Sequence, residues 1–220
     1  MSWDHADNPA LDRVVERLVE EAGPRPDMVA VDLGCGSGQL SIPLARQVAR
    51  VLAVDISPAM VDLLRANVER AGLTNIEGRV SPIEAIDLAP SSVDLVVSNY
   101  ALHHLRDPDK AAAVRTAATW LRPGGRLVIG DMMFGRGTSA RDRAIIASKT
   151  SALLAKGPGG WWRVAKNAVR FLGRLQERPL PVGRWVEMFL EAGLAPVTAV
   201  PVVAEAAIVA GTRPCETNDC

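Results

Sequence analysis

Asp32-Leu33-Gly34-Cys35-Gly36-Ser37-Gly38 is the stretch that decides how this chain folds. It follows the apolar run at 28–31 and precedes a segment, 39–48, whose pattern predicts a helix. We therefore predict a buried strand, then a tight glycine-rich turn, then a helix. Glycines let the backbone turn sharply and let a ligand come close, and a helix start offers unpaired N–H groups and partial positive charge. This combination predicts a site for a nucleotide-like ligand with an anionic end.

A second predicted strand, Arg50–Val54, ends at an acidic residue, Asp55. A carboxylate in that place can accept hydrogen bonds from both hydroxyls of a ribose, as it does in dinucleotide-binding folds. Dinucleotide sites carry the spacing G-x-G-x-x-G, whereas the glycines here alternate at 34, 36 and 38. Asp32 at the end of the first strand would also repel a pyrophosphate, but it can receive the amino group of an amino acid. The pattern therefore disfavours a dinucleotide.

The loop and its two carboxylates resemble motif I of the class I S-adenosylmethionine-dependent methyltransferases. Later segments resemble the fourth strand of that family, the segment after it and the turn into the fifth strand, at Ser92–Asn99, Ala101–Leu105 and Leu121–Ile129. The resemblance covers residues 28 to 132 and is nearest to the small-molecule branch of the ubiquinone- and menaquinone-biosynthesis type. It implies an α/β fold with a doubly wound, mostly parallel, seven-stranded Rossmann-like sheet and a helical lid after the fifth strand.

The resemblance also implies S-adenosyl-L-methionine as the cofactor. Asp55 would hold the ribose, while Ile56 and Met60 would pack on the adenine. The full set of positions that the resemblance assigns to the cofactor is Asp32, Gly34, Cys35, Gly36, Gly38, Asp55, Ile56, Met60, Ser81, Pro82, Ile83, Asn99 and Tyr100.

One segment departs from the family pattern. Many relatives carry Gly-Asp-Ala after the third strand, where the Asp receives the adenine amino group, but this chain has Ser81-Pro82-Ile83. Pro82 offers neither a side-chain acceptor nor an N–H. The Ser81 hydroxyl and the Ile83 N–H are the groups left for the adenine. The departure leaves open a weaker cofactor affinity, or a descendant of the fold that no longer methylates.

Residues that can carry chemistry follow the fourth and fifth predicted strands. Methyl transfer from a sulfonium is an in-line displacement, in which the protein positions the acceptor and excludes water. A general base is needed only when the acceptor proton is hard to lose. His103 or His104 can take such a proton, and Asp131 can orient a hydroxyl or amine of the substrate. Packing or capping roles for these three residues remain the alternative, and no ligand spacing predicts a metal site.

Alternating strands and helices predict a single α/β domain, and the resemblance implies that it is a methyltransferase domain over residues 1–220 with a cofactor-binding core at 28–132. The alternation then stops, and 135–180 carries glycine-divided helices where members of the family build a substrate lid. Within it, 161–178 has a basic face. We favour a lid helix with solvated arginines, and contact with an anionic membrane surface is the alternative. The last residues, 212–220, predict a flexible tail.

Composition limits the partners of the chain. Lys plus Arg and Asp plus Glu both number 25, so the formal net charge is zero, which argues against general affinity for nucleic acid. The segment Ser98-Asn99-Tyr100-Ala101 also lacks the Asn-Pro-Pro-Tyr type of motif used on flipped bases. The polar first residues and the lack of a long apolar run predict a cytoplasmic protein.

These observations predict transfer of a methyl group from S-adenosylmethionine to an O, N or C atom of a small-molecule acceptor. Trp161 and Trp162 in the predicted lid favour an apolar or ring-bearing acceptor. The alternative is a methyltransferase-fold protein that binds the cofactor structurally and performs non-methylating chemistry or regulates a partner. The oligomeric state is left open.

Overall fold

Alternating apolar segments build one sheet with helices on both faces. The structure, a computed structural model, describes residues 9–134 and 178–215. The strands in these residues are β1 (Val29–Leu33), β2 (Arg50–Asp55), β3 (Ile76–Val80), β4 (Val93–Asn99), β5 (Leu121–Met132), β6 (Val197–Pro201) and β7 (Ala206–Thr212). The helices are α1 (Pro9–Ala22), α2 (Ser41–Ala45), α3 (Pro58–Arg70), α4 (Asp107–Trp120) and α5 (Val182–Glu191). Two short 3₁₀ turns, Ile83–Ala85 and Leu102–His104, follow β3 and β4.

The strand order is β3-β2-β1-β4-β5-β7-β6 in a sheet of seven strands. The pairs from β3 to β5 are parallel, and β7 runs antiparallel to both β5 and β6. The order reverses next to β1, since β2 lies on one side of it and β4 on the other. Such a reversal opens a crevice at the carboxyl ends of the strands, where α/β proteins bind ligands. The predicted doubly wound, mostly parallel sheet is confirmed.

Both faces of the sheet are buried, and each face has its own set of helices. The face covered by α1, α2 and α3 buries Leu18, Ala30, Leu44, Leu64 and Val97. The face covered by α4 and α5 buries Val31, Val96, Val114, Ile129 and Trp185. Side chains alternate between faces along a strand, so Asp32 follows Ala30 to the first face and Asp131 follows Ile129 to the second. The polar residues at the carboxyl edge are thus divided between the two faces.

Two elements differ in extent from the sequence prediction. The helix predicted at 39–48 spans only Ser41–Ala45 and contains Pro43, which has no N–H to donate. The fifth strand begins at Leu121, at the start of the stretch that resembles the turn into it, because this residue already pairs with Val93. Because α2 has only 5 residues, the helix after the glycine loop contributes little helix dipole.

The predicted lid at 135–180 and the basic helix at 161–178 lie outside the described residues, except for the last few residues before α5. Those last residues include Leu180, which is buried against α4 and α5. Among the helices that the structure describes, none is long and apolar enough to cross a membrane.

Arg213, just after β7, is held against the glycine turn at Gly124-Gly125 near the start of β5. Its backbone exchanges hydrogen bonds with that turn, from Arg213 N–H to Gly125 O at 2.8 Å and from Gly124 N–H to Arg213 O at 2.9 Å. Its guanidinium donates to Ser91 Oγ at 3.0 Å and to the carbonyl of Leu121 at 2.5 Å. The residue therefore joins the end of β7 to the starts of β4 and β5.

We predict that Arg213→Ala lowers the free energy of unfolding by about 1–3 kcal/mol, because carbonyl groups near the start of β5 lose a charged donor. Urea unfolding measures the change. Arg115→Ala, an exposed arginine on α4, is the matched control and should stay within about 0.5 kcal/mol of the parent chain. Equal effects of the two substitutions would show that the Arg213 contacts contribute nothing.

Candidate active site

The glycine-rich loop at 34–38 is bonded to the end of β2. The N–H groups of Gly34 and Cys35 both donate to the carbonyl of Val54, at 2.8 and 2.9 Å. A Cβ on Gly34 would lie 2.2 Å from the Cβ of Ala101, so the loop is pressed against the segment after β4. A Cβ on Gly36, whose φ is +51°, would meet nothing within 4 Å. The loop is therefore packed on one side and open at Gly36.

Cys35 is buried within this loop and is the one free cysteine among the described residues. Its thiol donates to the carbonyl of Gly36 at 3.6 Å. Burial raises the pKa of the Cys35 thiol, and the charges of Asp32 and Asp55 add to the effect. The thiol is therefore a small neutral filler that suits a tight loop.

Asp55 is oriented by the two segments that it joins. Its Oδ2 accepts from the N–H of Gly36 at 2.9 Å, and its Oδ1 accepts from the N–H of Ser57 at 2.9 Å. Ser57 is the residue before α3, and its hydroxyl makes no capping hydrogen bond. Each carboxylate oxygen has a second lone pair to offer. The half-buried carboxylate is thus fixed in place beside the open side of the loop.

Two buried acceptors at the ends of β1 and β4 have no donor among the described residues, Asp32 Oδ1 and Asn99 Oδ1. The other oxygen of Asp32 accepts from the Ser41 hydroxyl at 2.5 Å. Complete burial raises the pKa of Asp32 to about 7, with Ser41 opposing the shift and the charge of Asp55 adding to it. An ammonium group carries three donors and no acceptor. These two oxygens therefore fit the amino end of an amino acid.

The residues that follow β2 and β3 lie side by side at the edge of this site. Ile56 is 70% exposed, which leaves an apolar surface open beside Asp55. Ser81 donates its N–H to the carbonyl of Asp55 at 2.9 Å and its hydroxyl to the carbonyl of Pro82 at 3.0 Å. Ile83 begins a 3₁₀ turn, a position whose N–H has no partner within the turn. The Ile83 N–H thus offers a hydrogen-bond donor to an adenine ring, and Ile56 offers it an apolar surface.

A buried His–Asp pair occupies the second face of the carboxyl edge. Asp131 Oδ2 accepts from the N–H of His103 at 2.9 Å, and Asp131 Oδ1 lies 2.6 Å from His103 Nδ1. The N–H of Met132 also donates to Oδ1, at 2.7 Å. A carboxylate has no proton to give, so Nδ1 is the donor and Nε2 is left as the acceptor of the ring. Asp131 thus contacts His103 directly rather than facing open space.

Tyr100 and His104 flank this pair. Tyr100 has a φ of 50°, in the left-handed region that non-glycine residues adopt at a cost. Burial raises the pKa of Tyr100, and the negative charges of Glu205 and Asp131 add to the effect, so the phenol keeps its proton. The Tyr100 ring meets His103 edge-on at 6.4 Å between centroids, and the exposed His104 ring lies 4.1 Å from His103.

The sequence prediction missed two residues that support these groups, Ser41 and Lys110. Ser41 follows Asp32 by nine residues and is fully buried against it. Lys110 is fully buried on α4. A signal for Lys110 was present, because it stands four residues before Val114 and so falls on the apolar stripe of that helix.

Comparison with known proteins supports the predicted fold and the predicted class of protein. Residues 30–125 match the family described as "Methyltransferase domain", which supports the predicted resemblance to the class I S-adenosylmethionine-dependent methyltransferases. Within that class the chain is similar to the ubiquinone biosynthesis O-methyltransferase of Xanthomonas axonopodis pv. citri (strain 306), with 35% identity over 155 residues. The match takes in 70% of this chain and 61% of that protein, so the chain spans less than two thirds of the relative's length.

Two solved structures show the same fold at low sequence identity. A SAM-dependent methyltransferase from Aquifex aeolicus has a TM-score of 0.65 at 20% identity, with 94% of this chain and 95% of that chain covered. The [4+2]-cyclase SpnF has a TM-score of 0.67 at 15% identity, with 93% and 82% covered. At these identities the likeness concerns the fold alone.

We predict that Gly36→Ala weakens S-adenosylmethionine binding about 10-fold or more, which is about 1.4 kcal/mol. The reason is that the new Cβ would project into the open side of the loop. Gly72→Ala is the matched control, because Gly72 also has a positive φ, +67°, and also meets nothing within 4 Å. Both changes carry a similar backbone strain of about 1–2 kcal/mol. Calorimetry that finds equal affinities for the two variants would contradict this placement of the ligand.

We predict that the stability difference between the parent chain and Asp32→Asn depends on pH. The pKa of Asp32 is about 7 in the folded chain against 3.8 as the ordinary value, so the folded state holds a proton that the unfolded state releases. The contribution of Asp32 is therefore complete below pH 4 and is lost as the pH rises through 7. Urea unfolding at pH 4.5 and pH 8 should show the difference falling by about 3 kcal/mol. A difference that stays constant with pH would refute the prediction.

Proposed function

We propose that this chain transfers a methyl group from S-adenosylmethionine to a small, apolar or ring-bearing acceptor, and that the methylated atom is a hydroxyl oxygen. The observation that carries the choice of oxygen is the contact of 2.6 Å between His103 Nδ1 and Asp131 Oδ1. The relative from Xanthomonas is named as an O-methyltransferase, which supports the same choice.

The cofactor would lie across the carboxyl ends of β1, β2 and β4. Asp55 would accept from the ribose hydroxyls beside Gly36, and Asp32 Oδ1 with Asn99 Oδ1 would accept from the amino group. Ile56 and Met60 would contact one face of the adenine, with the Ile83 N–H at its edge. The support is the two buried acceptors without a donor among the described residues, the open side of Gly36 and the exposed surface of Ile56.

When bound, S-adenosylmethionine supplies a methyl group on a positively charged sulfur. The protein's part is to hold the acceptor in line with that bond and to remove the acceptor's proton where needed. His103 Nε2 would take the hydroxyl proton, and Asp131 would hold the ring in the required tautomer and balance the charge that forms on it. An alcohol or phenol needs such a base more than a thiol does, because the hydroxyl proton is harder to lose at neutral pH.

The proposed activity is tested by incubating the purified chain with S-adenosylmethionine and a metabolite extract. Mass spectrometry should find an acceptor that gains one methylene unit of mass. With that acceptor, His103→Gln and Asp131→Asn should each lower kcat by about 10²- to 10⁴-fold, while His104→Gln, at an exposed position, stays within about 3-fold.

Other results separate the alternatives. A loss at His104→Gln with none at His103→Gln would move the base to the exposed ring. Full methyl transfer by both histidine variants would show that no base is used. Cofactor binding without any methyl gain would favour the non-methylating reading, in which the cofactor is bound structurally.

A further inference from the structure

Lys110, in the first turn of α4, is a fully buried lysine that the proposed function does not use. Its Nζ donates to the carbonyl of Arg178 at 2.5 Å and lies 3.2 Å from Asp107 Oδ1. The Asp107 side chain is 42% exposed, so this second contact reaches toward solvent. A buried ammonium is costly unless it is well hydrogen-bonded. The Arg178 carbonyl is therefore one of the groups that hold this ammonium in the interior.

The backbone of Arg178 carries the contact toward the active site. Its carbonyl accepts from Lys110, and its N–H donates to the carbonyl of His103 at 2.7 Å. His103 in turn holds Asp131 through both its N–H and its Nδ1. A continuous series of hydrogen bonds thus joins α4, the segment before α5, the 3₁₀ turn after β4 and the end of β5.

The position of Lys110 indicates that this series of hydrogen bonds does more than stabilise the fold. It lies on the apolar stripe of α4 with Val114 and Ala117, both of which are buried. An apolar residue there would pack without the cost of burying a charge, and such replacements are often neutral or stabilising. What an apolar residue lacks is a donor for the Arg178 carbonyl. The lysine therefore supplies a defined arrangement of backbone at that point.

We propose that Lys110 is a positioning residue for the His103–Asp131 pair and that it acts through the backbone of Arg178. Its loss leaves the Arg178 carbonyl without a charged donor, so that the hydrogen bond from Arg178 to His103 weakens and the 3₁₀ turn is free to rotate. Rotation of that turn lengthens the contact between His103 Nδ1 and Asp131. The effect on turnover rests on the proposed function, whereas the effect on the histidine ring does not.

The test uses the full chain with Lys110→Met, which keeps the length of the side chain and removes its donors. The first readout is the His103 Nδ1–H resonance in nitrogen-15 NMR of the protein without acceptor, assigned by its absence in His103→Gln. We expect its exchange with solvent to become on the order of 10- to 100-fold faster. With an acceptor, we expect kcat to fall on the order of 10- to 100-fold and KM to change less than about 3-fold.

Arg115→Met, an exposed long basic residue on the same helix, is the control and should leave both readouts within about 2-fold. A folded Lys110→Met chain with the parent's ring-proton exchange overturns the proposal. If Lys110→Met does not fold, Lys110→Arg decides, because it keeps a charged donor. Retention of the ring proton in Lys110→Arg supports the proposal, and its loss from the folded chain overturns it. Absence of methyl transfer in the parent chain would defeat the proposed function alone, since the NMR readout needs no turnover.

Discussion

The pairing of β1 with two parallel neighbours is the constraint on which the rest of the structure depends. Asp32 lies beside Ala53 of β2 on one side and Val97 of β4 on the other. Parallel strands end at the same edge, so this register brings the ends of β1, β2 and β4 together. The opposite edge is held by Asp94, whose Oδ2 accepts from Val29 N–H and from Arg122, both at 2.7 Å. A shift of one residue would turn every side chain of β1 to the other face.

Two aspartates at the same edge of the sheet are both buried, but they differ in the number of hydrogen bonds that they accept. Asp131 receives three N–H donors, two from His103 and one from Met132. Asp32 receives one hydroxyl, from Ser41, and burial raises its pKa to about 7. The first carboxylate has its hydrogen bonds within the chain, whereas one oxygen of the second, Oδ1, has no donor among the described residues. The same residue type is therefore fully hydrogen-bonded on one face of the sheet and keeps a buried acceptor without a donor on the other.

Most of the fold could be predicted from local patterns. α1 and α3 illustrate this, because each begins at a proline and carries apolar residues at helical spacing, which are local signals. The residues around the cofactor could be predicted for a similar reason, since the loop and Asp55 follow strand ends that the pattern places at one edge. The placement of the cofactor on them remains a proposal.

The contacts between distant segments could not be predicted. The sequence indicates both His103 and Asp131 as candidate catalytic residues. The contact between them spans 28 residues and depends on the pairing of Asn99 with Gly130 in β4 and β5. The burial of Lys110 depends on a carbonyl 68 residues away. A lysine in a first helical turn is normally solvated, and only the arrival of Arg178 makes burial tolerable. Sequence periodicity carries no information on such a partner.

Because β7 pairs with β5 but comes much later in the sequence, one edge of β5 stays exposed while the chain is being synthesised. β5 ends at Met132 and β7 begins at Ala206, about 70 residues later. At about 5–20 residues per second, β5 waits roughly 4–15 s for its second neighbour to be made. During that time Leu127, Val128 and Ile129, all buried in the finished protein, stand on a strand with an open edge. Open apolar edges pair with other chains, so a nascent chain stopped before residue 206 would present the open edge of β5 to its neighbours.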